Sequence, residues 1–418
     1  MDQSLCQQVL RDWSKTHRTA GWRADLAYFV DLVERRHPDP FHSVEEKEWR
    51  SAVQQLRMRI PRLTDIETIG EFMRLAAMIG DGHTAVYPPF EGDRAFHLLP
   101  IRPYRFSDGW RILAASPERK DLVGARILAI EGVPIADAAA RISAYLPRDN
   151  ERTQLWLSAV GMQFSEMGLV ALNARDPHST LIEVEGANGS RTVRFEGGPI
   201  DRHPDPAWIP PGWAGVEAPE PPLWLSRTDN PHWVTDIPEL GAVYAQVNQI
   251  ADGESETFAD FAQALGRHIE ETKARRLIVD LRHNNGGNGY LNWSLVREIV
   301  RSRLADREEG LFVIVGRRTF SAAMNLASEL ETRADAIFVG EPTGSRPNFY
   351  GEDTDFKLPY SGLQGSISSR WFQGGLTSND LRPWIAPDLL AELTFEDVRR
   401  GRDPSLEAIA AFLAGADR

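Results

Sequence analysis

From residue 239 onward the chain alternates between short apolar runs and longer amphipathic stretches, and no other feature limits its fold so severely. The runs are GAVYAQVNQI, RRLIVDL, GLFVIVG and DAIFVG. Between them lie a segment with Phe258, Phe261, Leu265 and Ile269 at helical spacing, a segment around Trp293, and one that starts at Ser321. Each run has strand length and each intervening stretch has helical period, so residues 239–418 are expected to build an α/β layered core.

The preceding part of the chain reads differently. Trp22, Leu26, Phe29, Val30 and Val33 mark an amphipathic helix that His37-Pro38-Asp39-Pro40 stops, because proline disfavours helical backbone in the residue before it. Capping boxes at Ser43/Glu46 and Thr64/Glu67 announce two more helices. The last of these runs out at Gly80-Asp81-Gly82-His83-Thr84, and Pro88-Pro89 keeps it from resuming, which sets an N-terminal helical domain at 1–89. Residues 90–197 turn to short β-branched runs, with Asn188-Gly189 suited to a hairpin turn, and read as a mostly β module. Proline and tryptophan crowd 198–238, which is expected to form no regular helix or central strand and to wrap as an ordered linker. Trp208, Trp213, Trp224 and Trp233 are read there as packing residues.

Composition removes several function classes. The chain has 418 residues, 42% hydrophobic and 26% charged, and no apolar run approaches the ~20 residues of a membrane span. A net charge of −13 with no basic patch disfavours nucleic acid as a partner. The single cysteine, Cys6, excludes an internal disulfide and a cysteine-rich zinc site. No HExxH spacing occurs, and no metal or organic cofactor is expected. The first residues show no leader pattern, so the expected location is cytoplasmic, or periplasmic or secreted where a signal peptide has been removed. Oligomeric state is not readable from these residues.

Chemistry concentrates at two turns. In LIVDLRHNNGGNGY, Gly286 and Gly287 directly follow a buried strand and can adopt positive φ, aiming backbone amides into a cleft. In GLFVIVGRRTFSAAMNL, Ser321 sits at a helix N-terminus, where free amides and the helix dipole stabilise an alkoxide or a tetrahedral oxyanion. The Ala322 amide would complete the donor set. Ser321 as a plain N-cap is the competing reading.

Taken in order, GDGHT at 80–84, DLRHNNGGNG at 280–289, RTFSAA at 318–323, GEPTG at 340–344 and DLRPWIAPD at 380–388 resemble the C-terminal-processing, or tail-specific, serine peptidase family, and within it the tricorn-core-like branch. The resemblance implies an N-terminal helical unit, a PDZ-like β module matched loosely by VGARILAIEGVPIADAAARI, and a peptidase core related to the crotonase and caseinolytic protease folds. It makes Ser321 the nucleophile, His83 the general base, and Gly286, Gly287 and Ala322 the oxyanion hole. Imidazole suits the task because it exchanges protons near neutral pH. His283, beside the glycine turn, is the nearest competitor and more plausibly positions the loop.

Asp380 matches the family's late acidic position and is the candidate to orient His83, with Glu341 and Glu352 as the other acids on the loop side. The serine–lysine branch carries a lysine about two dozen residues past the nucleophile. Here Arg346 stands in that region, and arginine cannot give up its proton; Lys357 shows no sign of desolvation. The expected activity is therefore serine endopeptidase on a peptide or unfolded protein. A silent binding protein on the same fold and an esterase are the alternatives.

Overall fold

The computed structural model describes residues 3–187, 189–205 and 208–416, with side chains described from 15 to 415. Cys6 and the turn residue Asn188 fall outside the described side chains.

The C-terminal half is a six-stranded sheet. Ala242–Val247, Arg276–Asp280, Leu311–Val315, Ala336–Gly340 and Leu389–Leu390 lie parallel in that order, and His232–Ile237 closes one edge antiparallel to Ala242–Val247. The pleat sends alternate residues to opposite faces. Leu277, Val279, Leu311 and Val313 meet one layer, supplied by the helices Phe258–Thr272, Asn292–Arg301 and Ala322–Arg333. Ile278, Phe312, Ile314 and Val339 meet Ile409 and Leu413 of the helix Pro404–Ala416 on the other face. Burial on both sides explains why these strands are continuous apolar runs rather than alternating ones.

His232–Ile237, inside the proline-rich stretch 198–238, is a regular strand, but an edge strand of the core sheet, which the expectation of no central strand allows. Pro231 and Pro238 bracket a proline-free hexapeptide, and its edge position needs ladder bonds on one side only. The tryptophans do pack: Trp208 and Trp224 stand edge to face at 4.9 Å and share a cluster with Phe106, Leu113 and Leu393, and Trp233 joins the sheet's outer core.

The helices Gln3–Arg36, Glu46–Arg59 and Asp65–Ala77 and the β module pack around one continuous apolar cluster, from Trp22 to Phe195. The Thr64/Glu67 capping box forms as expected, whereas Ser43 does not cap: its hydroxyl donates to Gly80 O, and Glu45 holds the N-cap position. The β module pairs Ile101–Phe106, Gly109–Ala115, Arg126–Ile130, Ser179–Gly186 and Gly189–Glu196 in antiparallel order.

What joins this half to the sheet is a long hairpin, Asn348–Lys357 with Gln364–Gln373. Phe356, Leu358, Leu363 and Ile367 of the hairpin belong to the N-terminal cluster. Its second strand pairs with Ala85–Val86, Ala85 opposite Ser366 and Val86 opposite Gly365. A Cβ on Gly365 would lie 2.2 Å from Ala85 O, so only glycine permits this approach. At the hairpin tip the buried Asp25 carboxylate accepts the amides of Tyr360 and Ser361, both at 2.8 Å. Residues 84–86 are thereby fixed to the hairpin, and His83 immediately precedes them.

Candidate active site

The loops at the C-terminal ends of adjacent parallel strands converge, the usual place for a ligand in such sheets. Arg276–Asp280 leads to Gly286 and Gly287, and Leu311–Val315 leads to Ser321. Ala336–Gly340 leads to Thr343 and Ser345.

Ser321 has φ 53° and ψ −123°, a left-handed backbone that L-residues avoid. Its hydroxyl makes no cap bond to the helix that follows. Instead Ser321 Oγ lies 2.9 Å from His83 Nε2, across a separation of 238 residues. The turn that strains the backbone is what lifts the side chain off the helix end and towards the imidazole. Strain of this kind costs ~1–3 kcal/mol and persists only where the surroundings impose it.

His83 is held by several contacts. Its ring stacks with Phe320, centroids 4.6 Å apart, and with Phe349 at 5.7 Å. Its amide donates to Asp81 Oδ1 at 2.8 Å, and its carbonyl accepts from Ser366 Oγ at 2.7 Å. Asp81 Oδ1 also accepts from the Thr84 amide and Ser368 Oγ, both at 2.7 Å, and Asp81 Oδ2 pairs with His37 Nε2 at 3.0 Å. Burial alone would raise this carboxyl, but the His37 hydrogen bond and charge, with the Ser368 and backbone donors, hold it down at about 2.

Asp149, fully buried, supports the same loop from the other side. It accepts the Gly82 amide at 2.7 Å and Ser345 Oγ at 2.6 Å, and Ser345 Oγ in turn faces the Ser321 amide at 3.5 Å. Burial pushes the Asp149 carboxyl up, against the opposing influence of His83 and Ser345. The neighbouring Asn150 caps the helix Glu151–Gly161 and donates to Thr343 O at 3.0 Å and Pro383 O at 2.6 Å. Thr343 and Ile385 are cross-bonded as well. The GEPTG and DLRPWIAPD motifs thus meet at a clamp that holds the Ser321 loop against the β module. Neither Asp149 nor Asn150 was singled out from sequence. The only local signal was the N-x-x-T capping pattern at Asn150 and Thr153.

The glycine turn meets Ser321 closely. Gly286 and Gly287 have φ of 123° and 130°. A Cβ on Gly286 would sit 2.8 Å from Ser321 Cβ and 3.3 Å from the Ala322 nitrogen, and one on Gly287 would strike Ile250 O at 2.2 Å. The Gly286 amide is engaged by Asn284 Oδ1 at 3.0 Å. A cleft of about 850 Å³ opens beside Ser321, walled by Tyr290, Asn325, Arg333, Phe349, Arg370 and Phe372.

The expected third member is not at the imidazole. His83 Nδ1 is buried and makes no hydrogen bond, so none of the three candidate acids bonds it. Asp380 is paired with Arg382 at 2.7 Å, and Arg382 reaches Glu331 on the nucleophile's helix at 2.7 Å; the arginine holds the Asp380 carboxyl below the usual range. Glu341 is buried against Arg317 in a two-bond pair, and Glu352 is exposed on the hairpin. His283 packs on Trp224 at 5.1 Å, away from Ser321, and burial followed by the charges of Arg318 and Arg282 drives its pKa well down. Arg346 donates to Asp149 O at 2.7 Å, and Lys357 is exposed at the hairpin end. No described residue gives Ser321 a lysine partner.

No protein-family model matches the chain, and no curated protein does. Among solved structures, mature CPAF complexed with lactacystin aligns over 95% of this chain and 97% of its own, with a TM-score of 0.64 at 13% identity. Mature CPAF without that compound gives 0.62 at 13% identity over the same shares. The photosystem II D1 C-terminal processing protease covers 93% of this chain and 96% of its own at 14% identity, but its TM-score of 0.43 carries no weight. The chain therefore shares the α/β fold of CPAF, with helical unit, PDZ-like β module and sheet core along nearly its whole length.

Two stability measurements test this geometry. Ser321→Gly should unfold at higher denaturant than Ser321→Ala by about 1 kcal/mol, since relief of ~1–3 kcal/mol of strain exceeds glycine's ~0.5–1 kcal/mol entropic cost. Equal midpoints would show that the turn is unstrained. Because the Asp81 carboxyl falls from 3.8 to about 2 on folding, its ionisation stabilises the protein fully above about pH 4 and ceases to do so as pH drops towards 2. Urea titrations should therefore show Asp81→Asn about 2 kcal/mol less stable at neutral pH, with the difference shrinking across that window.

Proposed function

We propose that this protein is a serine endopeptidase of the C-terminal-processing type. The observation that carries the proposal is the 2.9 Å contact between His83 Nε2 and Ser321 Oγ, made by a serine in a backbone conformation that aims it away from its own helix. A ligand-binding protein gains nothing from that arrangement, whereas an acyl-transfer enzyme requires it.

Ser321 Oγ attacks the peptide carbonyl as its proton passes to His83 Nε2. The new oxyanion is met by the Gly287 and Ala322 amides, with the N-terminal end of the helix Ala322–Arg333 behind them. We assign these two because the Gly286 amide already serves Asn284, and Gly286 then acts as the bare backbone that lets Ser321 approach. Collapse of the intermediate breaks the C–N bond, and the leaving amine takes the proton from His83 Nε2. Water, deprotonated by His83, then cleaves the acyl-enzyme and regenerates Ser321.

In this reading Asp380 does not orient the base. The Phe320 and Phe349 rings fix the plane of the imidazole, and Asp81 and Asp149 fix the backbone that carries it. The substrate is an extended peptide lying in the cleft beside Ser321, one wall of which is formed by Tyr290 and Arg370, hydrogen-bonded to each other at 3.2 Å.

The test is intact-mass analysis after exposure to a fluorophosphonate, with peptide mapping of the adduct. The account expects one adduct, on Ser321, absent from Ser321→Ala and formed about 10²–10⁴-fold more slowly in His83→Ala. No adduct on the wild type, or an adduct elsewhere, would overturn it. Lactacystin, the compound held in the CPAF structure, is a second probe for the same serine.

A further inference from the structure

On the β module three potential metal-ligating side chains converge at a place the peptidase chemistry does not use. His97, Glu166 and His178 present ligand atoms that all lie within 4.8 Å of one another, the only such set of three among the described residues. We propose that they form a binding site for a divalent transition metal, with zinc the best fit.

The carboxylate is the centre of the argument. Glu166 is fully buried. Its Oε2 is occupied by the His97 amide at 2.9 Å and Ser165 Oγ at 3.2 Å, which fixes the direction of the group. Its Oε1 is turned to the imidazoles, 2.7 Å from His97 Nδ1 and 3.7 Å from His178 Nδ1. Tetrahedral zinc with bonds of about 2.0–2.1 Å spaces its ligands about 3.4 Å apart. The two edges from Glu166 bracket that spacing and the two imidazoles lie within 4.8 Å of each other, so side-chain rotation about the fixed carboxylate would close the shell. Two histidines and one carboxylate also form a set that such metals accept.

The backbone under the three ligands is built rather than incidental. The Ser165 amide donates to His97 O at 3.0 Å, and the Gly197 amide to His178 O at 2.8 Å. Leu98 and Gly198 exchange two hydrogen bonds, at 2.8 and 2.9 Å. A Cβ on Gly197 would lie 2.5 Å from Ser165 Oγ and 2.7 Å from His97 Cβ, so the strand can press against the ligand residues only because a glycine stands there. The His178 amide is tied to Asp176 Oδ1 at 3.0 Å. Supporting contacts of this kind orient ligands at metal sites and affect affinity.

The rings of His97 and His178 stand edge to face at 5.0 Å, and the His178 side chain is 58% exposed. That exposure leaves a solvent side through which the ion enters and where water completes the shell. A bound metal would cross-link the segment at His97 to Glu166, 69 residues later, and to His178 beyond it.

The experiment uses untagged protein, stripped with chelator and dialysed, then titrated with zinc chloride by calorimetry and with cobalt(II) chloride followed in the visible. Expected are one equivalent of zinc, tetrahedral cobalt(II) absorption, and a higher melting temperature on saturation. His178→Ala, exposed and tolerant of change, should lose about 100-fold in affinity, and Ser165→Ala about 10-fold. Absence of binding in the wild type would overturn the proposal. Undiminished affinity in both His97→Ala and His178→Ala would do the same by placing the metal elsewhere.

Discussion

A hydrogen bond of 2.9 Å between side chains 238 residues apart sets the main demand on this structure. Ser321 belongs to the sheet core, and His83 belongs to the end of the N-terminal helical unit. Neither can act alone, so the interface between the two halves must hold the gap to within a few tenths of an ångström. Much of the unusual local structure serves that end. The hairpin Asn348–Lys357/Gln364–Gln373 is rooted in the core yet buries its tip among the N-terminal helices, and its second strand binds the residues just after His83. Ser366 and Ser368 on that strand bond the His83 carbonyl and the Asp81 carboxylate.

Buried charge is used here for position. Asp81 gathers three donors and His37, and Asp149 gathers the Gly82 amide and Ser345, so the two carboxylates grip the GDGHT turn from opposite sides. Leaving such donors unpaired in the interior would cost ~1–3 kcal/mol each, which makes the satisfied arrangement strongly preferred over a shifted one. The aromatic rings at His83 do the same for the imidazole plane. A ring stacked with two phenyl rings keeps its plane without an acceptor at Nδ1.

The sheet core was legible because each strand is buried on both faces and so stands out as an apolar run, and Ser321 was legible because a strand, a turn and a helix start follow in immediate order. His83 could be named only through resemblance, since nothing in GDGHT tells how far the chain returns in space. The same limitation explains Asp380. Its motif matches, but its neighbour Arg382 captures it, together with Glu331, and a side-chain ion pair two residues apart is not written in the spacing. Asp149 and Asn150 stand in PRDNERT, which on its own reads as an ordinary helix start. Their partners, Ser345 and Thr343, come from a loop almost 200 residues away. Ser43 failed as a cap for a related reason: a tertiary acceptor, Gly80 O, claimed its hydroxyl.

The central claim is that His83 acts as the base for Ser321 from a slot lined by the Phe320 and Phe349 rings. Truncation to His83→Ala would leave that slot open to a free imidazole, so chemical rescue tests the claim directly. The acylation rate of His83→Ala by a chromogenic ester should be strongly reduced and should rise with added imidazole. Ser321→Ala should show no gain beyond the buffer reaction. Acylation of Ser321 in His83→Ala at the wild-type rate without imidazole would contradict the account.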